Sequence, residues 1–111
     1  MAKRKPMLKK GDTVDIAGRR WFQRSYGNTY HTVQVSVLPK GGDHWILVGE
    51  TEGPVYGYGN HYEQTGREIL EEAYSMPRGW KKNREGGLWA LRDYGVNYIS
   101  RAEDVRRERD L

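Results

Sequence analysis

The 111-residue sequence contains no cysteine and only one phenylalanine. Without cysteine the chain can form no disulfide, no thiolate metal site and no thiol nucleophile, which is typical of a protein kept in a reducing compartment. No apolar run approaches the roughly 18 residues that cross a bilayer, and the N-terminus lacks the apolar segment of a secretory signal. We therefore expect a soluble cytoplasmic protein with no membrane partner.

The sequence also lacks the spacings on which most catalytic and metal sites depend. His31, His44 and His61 lie in separate segments with no metal-ligand spacing, although the fold could still bring them together. No Gly-x-Ser-x-Gly motif marks a nucleophile, and the stretch 57–59 is followed by Tyr62 where a dinucleotide-binding motif has its third glycine. We predict a protein that is not an enzyme, with no catalytic residue, no metal and no cofactor.

The positive charge of the sequence is concentrated at its N-terminus. The whole chain has a net charge of +4, from 19 basic and 15 acidic residues. Residues 1–10 contain five of the basic residues and no acidic one, which leaves 14 basic against 15 acidic residues elsewhere. We predict a flexible basic arm at residues 1–10 and a single, nearly neutral domain at residues 11–111. Such an arm either grips phosphate groups or only keeps the protein soluble.

The clearest structural pattern is a β-hairpin over residues 19–37. The Gly27-Asn28 pair is typical of a two-residue hairpin loop, which would place Tyr26 opposite Thr29. This register predicts three cross-strand pairs: Phe22 with Val33, Arg24 with His31, and Trp21 with Gln34. The face expected in the core carries Phe22, Val33, Val35 and Val37. The face expected in solvent carries Gln23, Ser25, Tyr30, Thr32, Gln34 and Ser36, with Trp21 across its end.

One helix is predicted at about residues 61–75. Asn60 suits its N-cap, and Glu63 stands at the capping-box position three residues later. An apolar stripe consists of Tyr62, Ile69, Leu70, Ala73 and Tyr74. We expect this helix to pack on a sheet and to present an acidic outer face. Its N-terminus could also accept an anion.

Three further strands are expected before this helix. Residues 12–16 alternate in polarity and predict a short strand at the edge of the hairpin. Residues 44–50 form the most apolar run of the chain and predict a central strand. Residues 55–58 predict a short strand that leads into the helix.

The pattern after the helix is weaker. Residues 80–87 predict an exposed loop with a basic cluster that includes Lys81 and Lys82. Residues 88–94 predict a strand with Leu91 turned inward. Residues 98–105 predict another strand, although Ser100 and Glu103 also fit the start of a short helix.

These elements together define a fold class. We predict an α+β fold with a twisted antiparallel sheet of four to six strands and one α-helix packed on one face.

Tyrosine-glycine pairs recur at the turns. The stretch 26–30, Tyr-Gly-Asn-Thr-Tyr, returns as Tyr-Gly-Asn-His-Tyr at 58–62 and more loosely at 94–98. The offsets are unequal, so the recurrence indicates shared turn chemistry and not a repeat architecture. Either these tyrosines pack beside glycine at strand ends, or they converge on one rim to form a binding surface.

Part of the chain resembles a known group of proteins. The stretch Arg-Trp-Phe-x-x-Ser-Tyr-Gly-Asn-Thr-Tyr-His at 20–31, followed by an alternating valine strand and by Tyr-Gly-Tyr-Gly-Asn-His-Tyr at 56–62, resembles small uncharacterised proteins of tailed bacteriophages. The resemblance covers about residues 19–70 and weakly the C-terminus. It implies a viral origin, and hence the cytoplasm of a host cell, but it transfers no functional residue.

The strongest functional pattern combines aromatic and basic residues on the hairpin. Aromatic rings that stack on bases, next to arginines that contact phosphates, are typical of proteins that bind single strands or RNA. The candidate binding residues are Lys3, Arg4, Lys5, Arg20, Trp21, Arg24, Tyr26, Tyr30, Lys81 and Lys82. We therefore expect a phage-type accessory protein that binds nucleic acid.

The same residue types also form hot spots between proteins. The alternative is therefore a protein that inhibits or redirects a host protein or nucleoprotein complex, in host takeover or anti-defence. A purely structural role for Trp21 and the arginines also stays open, as does the oligomeric state.

Overall fold

The computed structural model of the protein describes residues 5–77, 79–80 and 88–111. These residues form a twisted, open five-stranded sheet with an α-helix packed on one face. The strands are β1 (Thr13–Gln23), β2 (Asn28–Leu38), β3 (Ile46–Glu50), β4 (Val55–Tyr56) and β5 (Asn97–Val105). The helix is α1 (His61–Ala73), and 3-10 helices occupy Leu88–Tyr94 and Glu108–Asp110. The predicted α+β fold class is confirmed.

The order of strands differs from the prediction. The sheet runs β3-β2-β1-β5, and β4 pairs with β2 beside β3. The apolar run at 44–50 was predicted to be a central strand, but its residues 46–50 form the edge strand β3. At the start of this strand, Trp45, Ile46 and Leu47 stay 48, 48 and 55% exposed. Conversely, β1 lies inside the sheet, antiparallel to β2 and parallel to β5. The sheet is therefore mixed and not wholly antiparallel.

β1 is one long strand that passes through Gly18 without a break. A Cβ atom at Gly18 would lie 2.7 Å from a ring carbon of Tyr62, so this glycine makes room for the first turn of α1. The strand predicted at 12–16 and the first strand of the predicted hairpin are thus the same strand.

The hairpin has a longer loop than predicted. Gln23 pairs with Asn28, so residues 24–27 form a four-residue turn in which only Gly27 has a positive φ, of 69°. The register is therefore shifted by four residues, and Trp21 faces Tyr30 instead of Gln34.

The shift by an even number of residues keeps each side chain on its predicted face, because strand side chains alternate with a period of two. Val33, Val35 and Val37 are buried as predicted. Phe22 points to the same side but is 55% exposed, so its predicted burial is wrong. It lies at the hairpin end, four residues beyond the point where Tyr62 covers β1 at Gly18.

α1 packs closely on the sheet. It begins at His61 as predicted, but the Asn60 side chain makes no capping hydrogen bond; the amide of Glu63 donates to the Asn60 carbonyl oxygen instead. Within α1, Gly66 brings the helix backbone against Ile16 of β1. The buried side of α1 carries Tyr62 and Leu70, in line with the predicted stripe.

The C-terminal part holds two wrong predictions and one confirmed prediction. The segment predicted as a strand at 88–94 is a 3-10 helix, in which the consecutive residues Ala90 and Leu91 are both buried. A half-buried strand would have placed them on opposite faces. The next segment forms β5, which confirms the strand and not the alternative helix from Ser100. Trp80, predicted to start an exposed loop, is only 3% exposed.

Residues before β1 also contact the domain. Leu8 is 2% exposed, its amide donates to the Ser75 carbonyl oxygen, and Ser75 donates to the Pro6 carbonyl oxygen. Part of the segment predicted as an arm is thus held against the end of α1, whereas residues 1–4 lie outside the described residues. Within the described ranges, no helix is long and apolar enough to cross a membrane.

Candidate binding surface

Three aromatic rings line up on the sheet face opposite α1, which we call the open face. Trp21 and Tyr30 are cross-strand partners on β1 and β2, with ring centroids 6.0 Å apart and planes inclined by 27°. Tyr30 in turn faces Tyr56 on β4, with centroids 5.8 Å apart and planes inclined by 74°. We call these three residues the aromatic ladder. It lies where β1 and β2 approach the hairpin turn.

The sequence predicted two of the three members. Trp21 and Tyr30 were both expected on the solvent face, and the observed register makes them neighbours. Tyr56 was missed because its place depends on the pairing of β4 with β2, for which the sequence holds no local signal beyond a short strand pattern.

Other tyrosines have different environments. Tyr26 in the hairpin turn and Tyr58 before α1 are 77 and 78% exposed, whereas Tyr62 is 5% exposed and its hydroxyl contacts the Ser100 hydroxyl at 2.8 Å. Tyr62 packs on Gly18 in the middle of β1 and not at a strand end. Of the six tyrosines in the recurring stretches, Tyr30 alone belongs to the ladder, so these tyrosines do not converge on one rim.

Of the two predicted arginines of the hairpin, Arg20 lies on the α1 side of the sheet, over the Tyr62 ring, and not on the open face that carries Trp21. Arg20 is held by an ion pair with Asp104 at 2.8 Å and by a hydrogen bond to the Gly59 carbonyl oxygen at 3.0 Å. Arg24 in the hairpin turn is exposed and has no ion pair among the described residues. Much of the charge of Arg20 is thus already compensated within the chain.

Two further cations lie at the same end of the sheet and were missed from the sequence. Arg106 and Arg107 directly follow β5, whose last residue, Val105, pairs with Trp21. Both are exposed, and neither forms an ion pair within the described part of the chain. Their position depends on the parallel pairing of β5 with β1, which no local pattern indicated.

The remaining predicted site residues do not join this surface in the described structure. Lys5 is exposed, and its Nζ donates to the Glu71 carbonyl oxygen at 3.3 Å, near the C-terminal end of α1. That end lies far along the helix from Tyr62, which packs toward the ladder end of β1. The other four, Lys3, Arg4, Lys81 and Lys82, lie outside the described residues.

A buried histidine supports the strand that carries Tyr56. His31 is fully buried; its Nδ1 donates to the Gly57 carbonyl oxygen at 3.1 Å, and its Nε2 accepts from the Thr65 hydroxyl at 2.8 Å. Because a carbonyl can only accept, the geometry requires the proton on Nδ1. Burial lowers the pKa of His31 below 6.5, the hydrogen bond to Gly57 opposes this shift, and His61 adds to it.

The histidines converge only in part. The rings of His31 and His61 lie 5.3 Å apart, whereas His44 is exposed and pairs with Asp43 at 2.7 Å. Among the described residues, no group of three or more histidine, aspartate or glutamate side chains is placed to hold a metal ion.

The ladder continues into a groove on the open face. This groove has a volume of about 800 Å³ and crosses β2, β1 and β5 between two walls, residues 50–54 on one side and residues 108–111 on the other. Ala17 and Thr32 are part of its floor. Its charged lining residues are Arg19, Arg101, Arg109, Glu50, Glu52, Glu103 and Glu108.

One curated protein shares partial similarity with this chain. A stretch of 84 residues is 32% identical to the adenine phosphoribosyltransferase of Candida albicans. The stretch covers 74% of this chain but 43% of that protein, so the chain spans less than half the length of this relative. No family model matches the chain, and no solved structure matches it.

Proposed function

We propose that the protein is a non-enzymatic, phage-type accessory protein of the host-cell cytoplasm that binds single-stranded nucleic acid through the aromatic ladder. The observation that supports this function is the ladder itself, three rings in contact on an open sheet face. Aromatic side chains on a sheet stack on unpaired bases without reading their sequence. In a duplex the faces of the bases are covered by the neighbouring bases and cannot stack on a side chain, so the proposal concerns single strands.

Phosphate contacts are available beside the rings. Arg24, Arg106 and Arg107 lie at the ladder end of the sheet, are exposed and have no ion pair within the described residues. Exposed arginines bind phosphate and release counterions, which makes affinity depend on salt. The activity of the adenine phosphoribosyltransferase is not transferred, since the similarity spans less than half of that protein.

The test is a titration of a fluorescein-labelled oligothymidine and of a duplex of equal length at several salt concentrations. We expect the single strand to bind more tightly, and Trp21→Ala to weaken it about ten- to hundred-fold because one stacking ring is lost. Trp45→Ala is the matched control, because Trp45 is an exposed tryptophan that precedes β3, away from the ladder. Equal affinity for the duplex, or equal loss in the two variants, would reject the proposal.

A second candidate is contact with a host protein complex, and the exposed apolar edge of the sheet favours it. Trp45, directly before the edge strand β3, and Ile46 and Leu47, its first two residues, are about half exposed. Exposed edges of this kind pair readily with other chains. This candidate predicts that, after nuclease treatment, the wild type and Trp21→Ala capture the same host proteins and Trp45→Ala does not. Such a result would favour contact with a host protein over nucleic-acid binding.

A further inference from the structure

The open-face groove, the 800 Å³ depression between residues 50–54 and 108–111, is a second recognition feature beside the ladder. It shares the open face with Trp21 and Tyr30: Arg19 and Thr32 lie two residues from them on β1 and β2. Residues two apart on a strand point to the same side and are separated by roughly 7 Å. The groove and the ladder therefore form one continuous surface.

One of the three arginines that line the groove is neutralised by an ion pair within the chain. Arg101 forms an ion pair with Asp15 at 3.0 Å. Arg19 donates to the Asp110 carbonyl oxygen at 3.2 Å, which ties the C-terminal wall to the sheet. Arg109 is thus the one lining arginine for which the described structure shows neither kind of bond.

The anions in the groove are not engaged in this way. Glu50 accepts a hydrogen bond from the neutral amide of Gln34 at 3.2 Å. None of the four glutamates, Glu50, Glu52, Glu103 and Glu108, forms an ion pair with any residue that the structure describes. Wall 50–54 carries two of them and no basic residue. Arg19 and Arg109 form no ion pair in the described structure either, so they offset two of the four glutamates and leave the lining with an excess of two negative charges, unlike the ladder end of the same face.

This charge determines the chemistry of the occupant. Phosphates would be repelled by the glutamates, whereas lysine and arginine side chains would be attracted. The chain as a whole carries a net charge of +4, so attraction of a cationic ligand must come from this local surface and not from the overall field. The groove spans about three strand spacings, or roughly 15 Å, which is the length of four to five extended residues.

We propose that the groove binds an extended segment of a partner protein in which lysine or arginine side chains alternate with small residues. The anionic walls contact the cations, and the floor at Ala17 and Thr32 leaves room for the peptide backbone. The groove adjoins the proposed nucleic-acid surface on the open face, but it would bind a ligand of the opposite charge.

The experiment measures fluorescence anisotropy of two labelled peptides, Lys-Thr-Lys-Thr-Lys-Thr and Glu-Thr-Glu-Thr-Glu-Thr, on the wild type. We expect the lysine peptide to bind and the glutamate peptide not to bind. The double variant Glu52→Gln/Glu108→Gln should lose at least ten-fold in affinity for the lysine peptide. The matched control is Glu68→Gln/Glu72→Gln, which makes the same charge change on exposed positions of α1 and should bind like the wild type.

Binding of oligothymidine is measured on the same variants. An unchanged oligothymidine affinity in Glu52→Gln/Glu108→Gln shows a folded protein and separates this site from the ladder. The proposal is overturned if the lysine peptide does not bind the wild type, if the glutamate peptide binds equally well, or if the α1 control loses as much affinity as the groove variant. Spermidine that displaces the lysine peptide at equal concentration would also overturn it, since a free polyamine would then be the better ligand.

Discussion

Replacing Gly66 by alanine tests the close approach of α1 to the sheet. A Cβ atom at this position would lie 2.7 Å from Cγ2 and 3.2 Å from Cδ1 of Ile16, and 3.3 Å from Cγ1 of Val33. Carbon atoms in good contact are about 3.5 to 4.0 Å apart. Ile16 is fully buried, so its methyl groups cannot turn into solvent. The helix must therefore move away from β1 by close to 1 Å.

Two effects of opposite sign decide the result. Alanine is favoured over glycine inside a helix by about 1 kcal/mol. Overpacking of a core costs about 1 to 3 kcal/mol, and here the movement also separates Leu70 and Tyr62 from the strands they cover. We expect the clash to exceed the gain, so that Gly66→Ala lowers the free energy of unfolding by up to about 2 kcal/mol.

Urea unfolding of four variants measures these terms. Gln64→Ala, at an exposed position of α1, is the control for alanine on the solvent side of the same helix. Ile16→Ala alone should cost about 2 to 5 kcal/mol because it leaves a cavity. In the double variant Ile16→Ala/Gly66→Ala, the methyl group introduced at position 66 fills part of this cavity. The loss of stability in the double variant should therefore be smaller than the sum of the losses in the two single variants. If Gly66→Ala is more stable than the wild type by about 1 kcal/mol, the close packing described here is wrong.

Three further results are expected. Val35→Ala should lower the free energy of unfolding by about 1 to 3 kcal/mol and Gln34→Ala by less than about 0.5, because only the first is buried; reversed losses would place β2 the other way round. Burial lowers the pKa of His31, so the stability that neutral His31 contributes is complete above about pH 6.5 and is lost as the pH falls through the lowered pKa. The free energy of unfolding should fall by at most about 1.4 kcal/mol per pH unit through this residue. His31→Gln should remove this part of the pH dependence in unfolding curves from about pH 7 to 5. Arg106→Gln/Arg107→Gln should reduce the slope of log affinity for oligothymidine against log salt by about 1.4, and an unchanged slope would exclude both arginines from phosphate contact.

Local patterns in the sequence predicted the fold class, the start of α1, the inner face of β2 and the strand at β5. Each of these depends on residues within one element or one turn. The order of the strands depends instead on which edges meet, and the pairing of Thr13 with Asn97 joins segments from opposite ends of the chain. The apolar run at 44–50 was misleading because high hydrophobicity usually marks a buried strand, whereas here it marks an exposed edge.

The candidate surface was predictable to a similar extent. Trp21 and Tyr30 were correctly placed on the solvent face because the error in register was an even number of residues. The ion pair of Arg20 with Asp104 joins residues 84 positions apart, so the sequence could not show that this cation is already compensated. Tyr56 depends on β4, which is held in place by the hydrogen bond between His31 and Gly57.

The position of β1 between an early and a late strand has a consequence for how the chain is made. β2 follows β1 at once and can pair with it during synthesis, but the other edge of β1 stays open until residue 105 has left the ribosome. In that interval β1, an interior strand of the finished sheet, presents a row of unpaired backbone N–H and C=O groups to other nascent chains. Truncation before β5 should therefore produce aggregates and not a smaller folded protein.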